Sequence, residues 1–280
     1  MFSKIIRHLK WQFYDMIWIF KPLSAFKKYQ NINNKYSIGI TTYKDRYNLF
    51  FKSLIKKIII LFPDTEIIVA INGHVDTEKQ SAYLEEIEKS YAACPKVKLI
   101  EYIKPQGLSR LWNQIILKSS NERVFMLNDD IHFSPYLRRD IEQSGFFEER
   151  IAIINNSFSF FILEKEFAKE IGGFDERLKE ISGEDDDFCV RMATMGYPYP
   201  PVYEYKYIKN YSHKPEINSF GKNTADESNR YSTYNNTFLN QKWEIRNEKF
   251  ESSVYSRSGK YWKLKEGMET PKYLELLNLK

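Results

Sequence analysis

From Tyr36 to Leu127 the chain alternates short β-rich runs with stretches of helical periodicity, and this alternation restricts its fold more than any other feature. Strand candidates are Ser37–Thr41, Glu66–Ile71, Val97–Tyr102 and Arg123–Leu127, with helical stretches between them at Tyr47–Phe62, Thr77–Tyr91 and Leu108–Ser119. In the first helical stretch Tyr47, Phe50, Phe51, Leu54, Ile55 and Ile58 recur at three-to-four spacing and share one face. Each stretch is long enough to cross between parallel strands, so the pattern predicts an α/β sheet covered by helices. Ligands of such sheets sit beyond the carboxyl ends of the strands, which draws attention to the loops beginning at Thr42, Asn72 and Asn128.

After Pro135 the regularity weakens. A short helix is followed by an apolar run, Ile151–Leu163, broken by Asn155 and Asn156, and then by helices near Glu164–Ile171 and Glu184–Met195. The last fifty residues are rich in Tyr, Trp, Asn, Ser and Lys with little periodicity, and read as a lid or an extended wrap. The expected organisation is an arm at 1–34, a body at 35–230 and a C-terminal segment at 231–280.

With 280 residues, 42% of them hydrophobic, the chain can bury one large core or two smaller fused ones. Its 11 glycines and 10 prolines exclude a collagen, no apolar run is long enough to span a membrane, and two cysteines cannot build a disulfide framework. The net charge is +5, and its placement matters more than its size. Lys4, Arg7, Lys10, Lys21, Lys27 and Lys28 stand against Asp15 alone in the first 34 residues, so the whole excess lies there and the body is neutral. No nucleic-acid partner is expected of such a body.

The arm carries an apolar stripe through Phe2, Ile5, Ile6, Leu9, Phe13, Met16, Ile17 and Phe20, flanked by Trp11, Tyr14 and Trp18 and ended by Pro22. Two readings fit an amphipathic basic helix of this kind: it lies on an anionic membrane surface, or it packs on the body or on a second copy. Free thiols at Cys94 and Cys189 suit a reducing cytosol, so the expected location is cytoplasmic, either in solution or peripheral on the inner face of the membrane. Sequons at Asn155, Asn210 and Asn235 are expected by chance in so Asn-rich a chain.

Four groups of residues could carry chemistry. In Met126-Leu127-Asn128-Asp129-Asp130-Ile131 an apolar strand runs straight into adjacent carboxylates, a set that suits a hard divalent cation and a diphosphate, or equally a solvated turn. Gly172-Gly173-Phe174-Asp175-Glu176 precedes Ser182-Gly183-Glu184-Asp185-Asp186-Asp187, whose four acids repel one another unless a helix start, a metal or bases offset them. Asp187 and Arg191 are four apart and can pair, which leaves Glu184 and Asp185 for a site. His213 follows an aromatic, strand-like stretch, and Gly107 to Asn113 is a helix start that presents Arg110 and Asn113 to a phosphate or sugar. Walker and dinucleotide phosphate loops, a nucleophile elbow and paired cysteine ligands are absent from the sequence.

In this order the pieces resemble a nucleotide-sugar glycosyltransferase of the GT-A fold, close to the family 2 type, from Tyr36 to His213. The resemblance implies a Rossmann-like mixed sheet flanked by helices, with an N-terminal amphipathic helix and an extended C-terminal segment added. Thr41-Thr42-Tyr43-Lys44-Asp45-Arg46 looks like the opening nucleotide-binding loop, and Ile71-Asn72-Gly73 stands where the family usually has Asp-Asp-Gly, leaving Asn72 for a base edge. Asn128-Asp129-Asp130 occupies the place of the Asp-x-Asp motif with Asn for its first Asp. Asp130 is then the implied direct metal ligand, and Asp129 a ribose or supporting partner. The Gly-Glu-Asp-Asp-Asp wording is also similar to that of β-1,4-galactosyltransferases, which implies His213 as a second ligand for Mn²⁺ or Mg²⁺.

The activity so implied is sugar transfer, with inversion, from a nucleotide diphosphate donor such as a UDP-sugar to a glycan or lipid-linked glycan, with Asp185 as base beside Glu184. Two alternatives remain open: a glycan- or nucleotide-binding protein that has lost turnover, and a metal-dependent nucleotidyltransferase.

Overall fold

The computed structural model describes residues 36–43, 46–206, 208–210, 233–245 and 262–276. The arm at 1–34 and His213 lie outside them. Strands β1 (Tyr36–Thr42), β2 (Ile67–Ile71), β3 (Val97–Glu101) and β4 (Arg123–Asn128) are joined by α1 (Lys52–Leu61), α2 (Thr77–Tyr91) and α3 (Leu108–Lys118). There follow β5 (Ile131–Phe133), α4 (Leu137–Gln143), β6 (Ile151–Ile154), β7 (Ser157–Glu164), α5 (Lys165–Ile171) and α6 (Glu184–Thr194). The remaining elements are β8 (Val202–Tyr203), β9 (Ile208–Asn210), α7 over 233–242, β10 (Trp243–Ile245), β11 (Trp262–Leu264) and α8 (Tyr273–Leu276).

The main sheet has seven strands in the order β3-β2-β1-β4-β7-β6-β8. β1 to β4 are parallel, whereas β7 runs antiparallel to both β4 and β6. The expected mixed α/β sheet flanked by helices is borne out. Strand periodicity divides the core: Ile67, Val69, Ile71, Phe125 and Leu127 join the cluster that holds α1, α2 and α4, while Ile68, Ala70, Val124 and Met126 join the one that holds α3, α5 and α6. Each such side chain contributes about 1.5–3 kcal/mol by leaving water. Gly39 on β1 permits the close seat of α3, because a Cβ there would stand 2.5 Å from Ile115 Cγ2 and 2.6 Å from Met126 Sδ.

Two local features depart from the sequence reading. The helix expected at Tyr47–Phe62 opens as a π-helical turn over Tyr47–Phe51, a rare form that is frequent at functional sites, and becomes α-helical at Lys52. The break at Asn155 and Asn156 is a two-residue hairpin turn between β6 and β7, with φ of 52° and 53°. Asn tolerates that left-handed backbone, and two such residues in succession give the turn whose twist matches paired strands.

The C-terminal segment packs on the body. Leu239, Trp243 and Trp262 form a small core with Leu178 and Val190, and Leu274 of α8 joins the cluster around α3 and α5. Among the described residues no helix is long and apolar enough to cross a membrane.

Candidate functional site

The connection leaving β1 goes to β2 on one side, whereas β4 lies on the other, so the carboxyl ends of β1 and β4 flank the point where the strand order reverses. Thr41 is paired with Asn128 across this point. Asp129 and Asp130 follow Asn128 and are each 2% exposed. Thr42 Oγ1 donates to Asp129 Oδ2 at 2.8 Å. Arg46, at the start of the π-helical turn, bridges the two acids, with Nη2 2.8 Å from Asp129 Oδ1 and 2.7 Å from Asp130 Oδ2. Its guanidinium also lies over the rings of Tyr43, at 5.7 Å, and Phe50, at 5.0 Å.

Burial pushes the Asp129 carboxyl up to about 7, against the pull of Arg46 and with a further push from Asp130. Asp130 Oδ1 is buried without a hydrogen-bond partner among the described residues. An orphaned carboxylate oxygen beside a second carboxylate suits a hard cation, so the donors fit Mn²⁺ or Mg²⁺ in type. Among the described residues no group of three or more His, Cys, Asp or Glu is placed to hold a metal, so a cation here needs ligands from elsewhere, such as substrate phosphate.

The second half of the site is the first turn of α6. A cleft of about 730 Å³ separates it from the β6–β7 turn, with Asn128 at the end of β4 in its wall and Trp112 of α3 nearby. Glu184, Asp185 and Asp186 all line it. Asp187 turns away, has no exposure, and is held by Arg191 Nε at 2.9 Å, Lys242 Nζ at 2.6 Å and Trp243 Nε1 at 2.9 Å. The expected Asp187–Arg191 pair is present, and Asp186 is a third carboxyl on the cleft.

Burial, the Asp185 charge and the Asp186 charge together push Glu184 up to about 8. Burial and its two acidic neighbours, Asp185 and Asp187, likewise bring Asp186 to about 8. Burial raises Asp185, and the Asp186 amide, which donates to its Oδ1 at 3.0 Å, opposes that rise. Glu184 and Asp186 are thus brought near neutrality and Asp185 is moved in the same direction, the sense that acid–base chemistry at such a pH needs. Ser182, just ahead of the helix, has φ of 109°, a left-handed backbone held in place by its N–H donating to Glu184 Oε2 at 2.7 Å.

Residues far along the chain brace this turn. Asn235 of α7, fully buried, accepts from the Lys179 amide at 2.9 Å and donates to the carbonyls of Lys179 at 2.8 Å and Ser182 at 2.7 Å. Lys242 Nζ also reaches Asp175 Oδ2 at 2.7 Å and Thr270 Oγ1 at 2.6 Å. Although burial works against its charge, Arg177 and Lys242 hold the Asp175 carboxyl well below the usual carboxylate range.

The Gly-Gly-Phe-Asp-Glu run is a junction between elements. Asn113, with no exposure, donates to the Phe174 carbonyl and accepts from the Phe174 amide, both at 2.8 Å. Gly173 has φ of 75°, and a Cβ on it would stand 3.0 Å from both Asn113 Oδ1 and Leu274 Cγ. Asn72 similarly joins two loops: its Oδ1 accepts from the amides of Gly73 at 2.9 Å and Gln106 at 2.8 Å, and its Nδ2 donates to the Gln106 carbonyl at 3.0 Å. Arg110 is exposed at the start of α3, over the Tyr102 ring at 6.0 Å.

Of the residues singled out from sequence, then, Thr41, Thr42, Tyr43, Arg46, Asp129 and Asp130 gather at the β1 and β4 ends. Glu184 and Asp185 face the cleft. Asn113 and Asn72 tie backbone segments together, and His213 lies outside the described residues. Sequence reasoning missed Asn235 and Lys242, for which an Asn- and Lys-rich tail carries no distinguishing signal, and the hairpin residues on the cleft, which the Asn-Asn pair does announce.

No protein-family model matches the chain, and no curated protein matches it in sequence. Among solved structures it is similar to S. aureus TarS 1–349 in complex with UDP, with a TM-score of 0.47 and 15% identity over 62% of this chain and 59% of that one. The TarS complex with UDP-GlcNAc gives 0.45 and 12% over 62% and 57%. The mannosyltransferase PcManGT from Pyrobaculum calidifontis, in complex with GDP-Man and Mn²⁺, gives 0.47 and 16% over 70% and 63%. The chain thus spans about three fifths of the length of each of these.

Proposed function

We propose that the chain is a glycosyltransferase that moves a sugar from a nucleotide diphosphate donor, a UDP-sugar in the first instance, to a hydroxyl of a glycan or lipid-linked glycan. The observation that carries this reading is the cleft between the β4 end and α6: Glu184, Asp185 and Asp186 line it together with Asn128, and the buried Asp129 and Asp130 follow Asn128 directly in the chain. The motif resemblance from Tyr36 to His213 supports it.

In this reading the nucleotide diphosphate lies over the ends of β1 and β4, near Thr41, Thr42, Tyr43 and Asp129, with Arg110 at the start of α3 for phosphate. Asp130 and His213 hold Mn²⁺ or Mg²⁺, which when bound neutralises charge on the departing diphosphate. Asp185, beside Glu184, takes the proton of the acceptor hydroxyl while the oxygen bonds to the anomeric carbon and the bond to the diphosphate breaks, inverting that centre. A raised carboxyl suits the task, because a base titrating closer to neutral pH is a stronger proton acceptor once ionised. Residues 1–34 supply contact with an anionic membrane surface.

A panel of UDP- and GDP-sugars with Mn²⁺, read by nucleoside diphosphate release, tests the reading. Release of pyrophosphate from a nucleoside triphosphate, without turnover of any nucleotide sugar, would favour a nucleotidyltransferase instead. Asp185→Asn should keep donor binding and lose about 10²–10⁴-fold in transfer. Asp130→Ala and His213→Ala should each weaken Mn²⁺-dependent UDP binding in calorimetry. Near-normal turnover in the first variant, or unchanged affinity in the others, removes the role assigned.

A further inference from the structure

Arg46 is held differently from the arginines that clamp the rest of the body. Arg138 places Nε on Glu142 at 2.8 Å and Nη1 on the Leu61 carbonyl at 3.0 Å. Arg191 places Nε on Asp187 at 2.9 Å and Nη1 on the Ile171 carbonyl at 2.5 Å, and Arg177 sets Nε and Nη2 on the two oxygens of Asp175 at 2.9 and 2.7 Å. Each of these is fixed by two nitrogens that direct hydrogen bonds, the fork that makes a guanidinium a rigid clamp.

Arg46 makes both of its acid contacts through one nitrogen. Nη2 stands 2.8 Å from Asp129 Oδ1 and 2.7 Å from Asp130 Oδ2 without directing a hydrogen bond at either, and Nε is buried with no partner. The guanidinium also lies over the Tyr43 and Phe50 rings, whose faces attract a cation without fixing its orientation. It therefore acts on the two acids as a point charge, and it falls short of balancing them. One positive charge faces two buried carboxylates, Thr42 adds only a hydroxyl at Asp129 Oδ2, and Asp130 Oδ1 has no partner. Among the described residues no other basic side chain pairs with either acid.

We infer that Arg46 is a resident counter-cation, which occupies Asp129 and Asp130 while no divalent cation is bound and gives them up when one arrives. A small divalent cation takes carboxylate oxygens and is repelled by a positive charge among them, so the guanidinium and the metal cannot share Asp129 Oδ1 and Asp130 Oδ2. With Arg46 in place an incoming cation meets a net charge of one and a like charge beside it; with Arg46 gone it meets both carboxylates. Little directed bonding is lost when the guanidinium leaves, and the Tyr43 and Phe50 faces keep it at the rim of the site, with a fifth of its side chain already exposed. Naming the competitor as Mn²⁺ or Mg²⁺ rests on the proposed transfer reaction; the exchange itself rests on the acid pair.

Mn²⁺ alone, without nucleotide, tests this. Binding to the full chain is followed at pH 8 by the loss of the free-ion paramagnetic resonance signal. Arg46→Met and Arg46→Gln should each bind an ion at least about tenfold tighter than the wild type, a modest share of the like-charge cost removed. Asp130→Asn added to either should abolish the gain. Affinity no tighter than the wild type's in a folded variant, checked by circular dichroism, overturns the inference, as does a gain that survives Asp130→Asn. The wild type gives a reading that needs no variant. Phenylglyoxal modifies guanidinium groups that are free of ion pairs, and Arg46, followed by peptide mass mapping, should be modified severalfold faster in excess Mg²⁺ than in NaCl of equal ionic strength; an equal or slower rate overturns the displacement. Turnover is scored separately. Tighter Mn²⁺ binding by the Arg46 variants of a chain that turns over no nucleotide sugar keeps the exchange and loses the transferase reading, whereas a Mn²⁺-dependent transferase whose Arg46 variants bind the ion no better keeps the reading and loses the exchange.

Discussion

Lys242 Nζ lies 2.6 Å from Asp187 Oδ1, and neither side chain has any exposure to solvent. The same ammonium is 2.7 Å from Asp175 Oδ2, so one lysine is shared by two buried acids, Asp175 in the loop after α5 and Asp187 on the turn that carries the cleft's carboxyls, which Arg177 and Arg191 hold from their other sides. A buried charge that loses its partner is costly, because no water replaces the lost contact.

Lys242→Met is therefore expected to destabilise the chain by about 3–5 kcal/mol in urea unfolding at pH 7. Asp187→Asn in that background should recover part of the loss, by removing one of the two carboxylates that the lysine no longer balances. A loss below about 1 kcal/mol in the single variant would contradict the ion-pair account.

The cleft acids make stability fall with rising pH. Glu184 and Asp186 titrate near 8 in the folded chain, against ordinary values of 4.5 and 3.8, so the native state holds protons that the unfolded chain has released. Their contribution is fully present below the ordinary values and is lost as pH rises through 8, with a slope of up to about 1.4 kcal/mol per pH unit for each proton of difference. Asp175, held low, acts in the opposite sense and favours the folded state until pH falls below the ordinary carboxylate range. Urea unfolding from pH 5 to 9 should show the decline, and Glu184→Gln should flatten it; parallel curves would contradict the assignment.

Arg46→Met should also destabilise, by roughly 2–3 kcal/mol at pH 8, since it leaves Asp129 and Asp130 adjacent, buried and without their shared counter-charge. The loss should be smaller at pH 5, where Asp129, already raised to about 7, holds its proton. Equal losses at the two pH values would mean that the guanidinium acts through packing on Tyr43 and Phe50 and not through charge.

The hairpin turn gives a backbone test. Asn156 has φ of 53°, a region that a β-branched residue enters only with strain, so Asn156→Val should cost about 1–3 kcal/mol in thermal or urea unfolding. Asn156→Gly should be close to neutral for the fold, because glycine takes that backbone freely and the serine-rich strand that follows is unchanged.

The sheet was readable in advance because its signals are local. Each strand from Tyr36 to Asn128 is a short β-rich run, and each crossover has its own periodicity, so elements and order follow from windows of ten or fifteen residues. The β4 acids and the α6 acids were equally visible as runs of one residue type. The bracing of the site was not. Asp175 and Lys242 are 67 positions apart, and nothing near Lys242 distinguishes it from the other lysines of that segment. Asn113 shows the converse: an amide at a helix start suggests a ligand, yet here it satisfies both backbone groups of Phe174, 61 positions away. Local pattern reports what a segment is, and only the assembled fold reports what a polar side chain is paired with.

The distance between Asp175 and Lys242 also bears on when the site comes into being. During synthesis on the ribosome both acids have been added to the chain well before Lys242, and until that lysine packs between them Asp175 has only Arg177, and Asp187 only Arg191, for a basic partner. The bracing of the cleft is thus completed only after position 242 has been added, and a nascent chain that stops short of it carries the sheet without that brace.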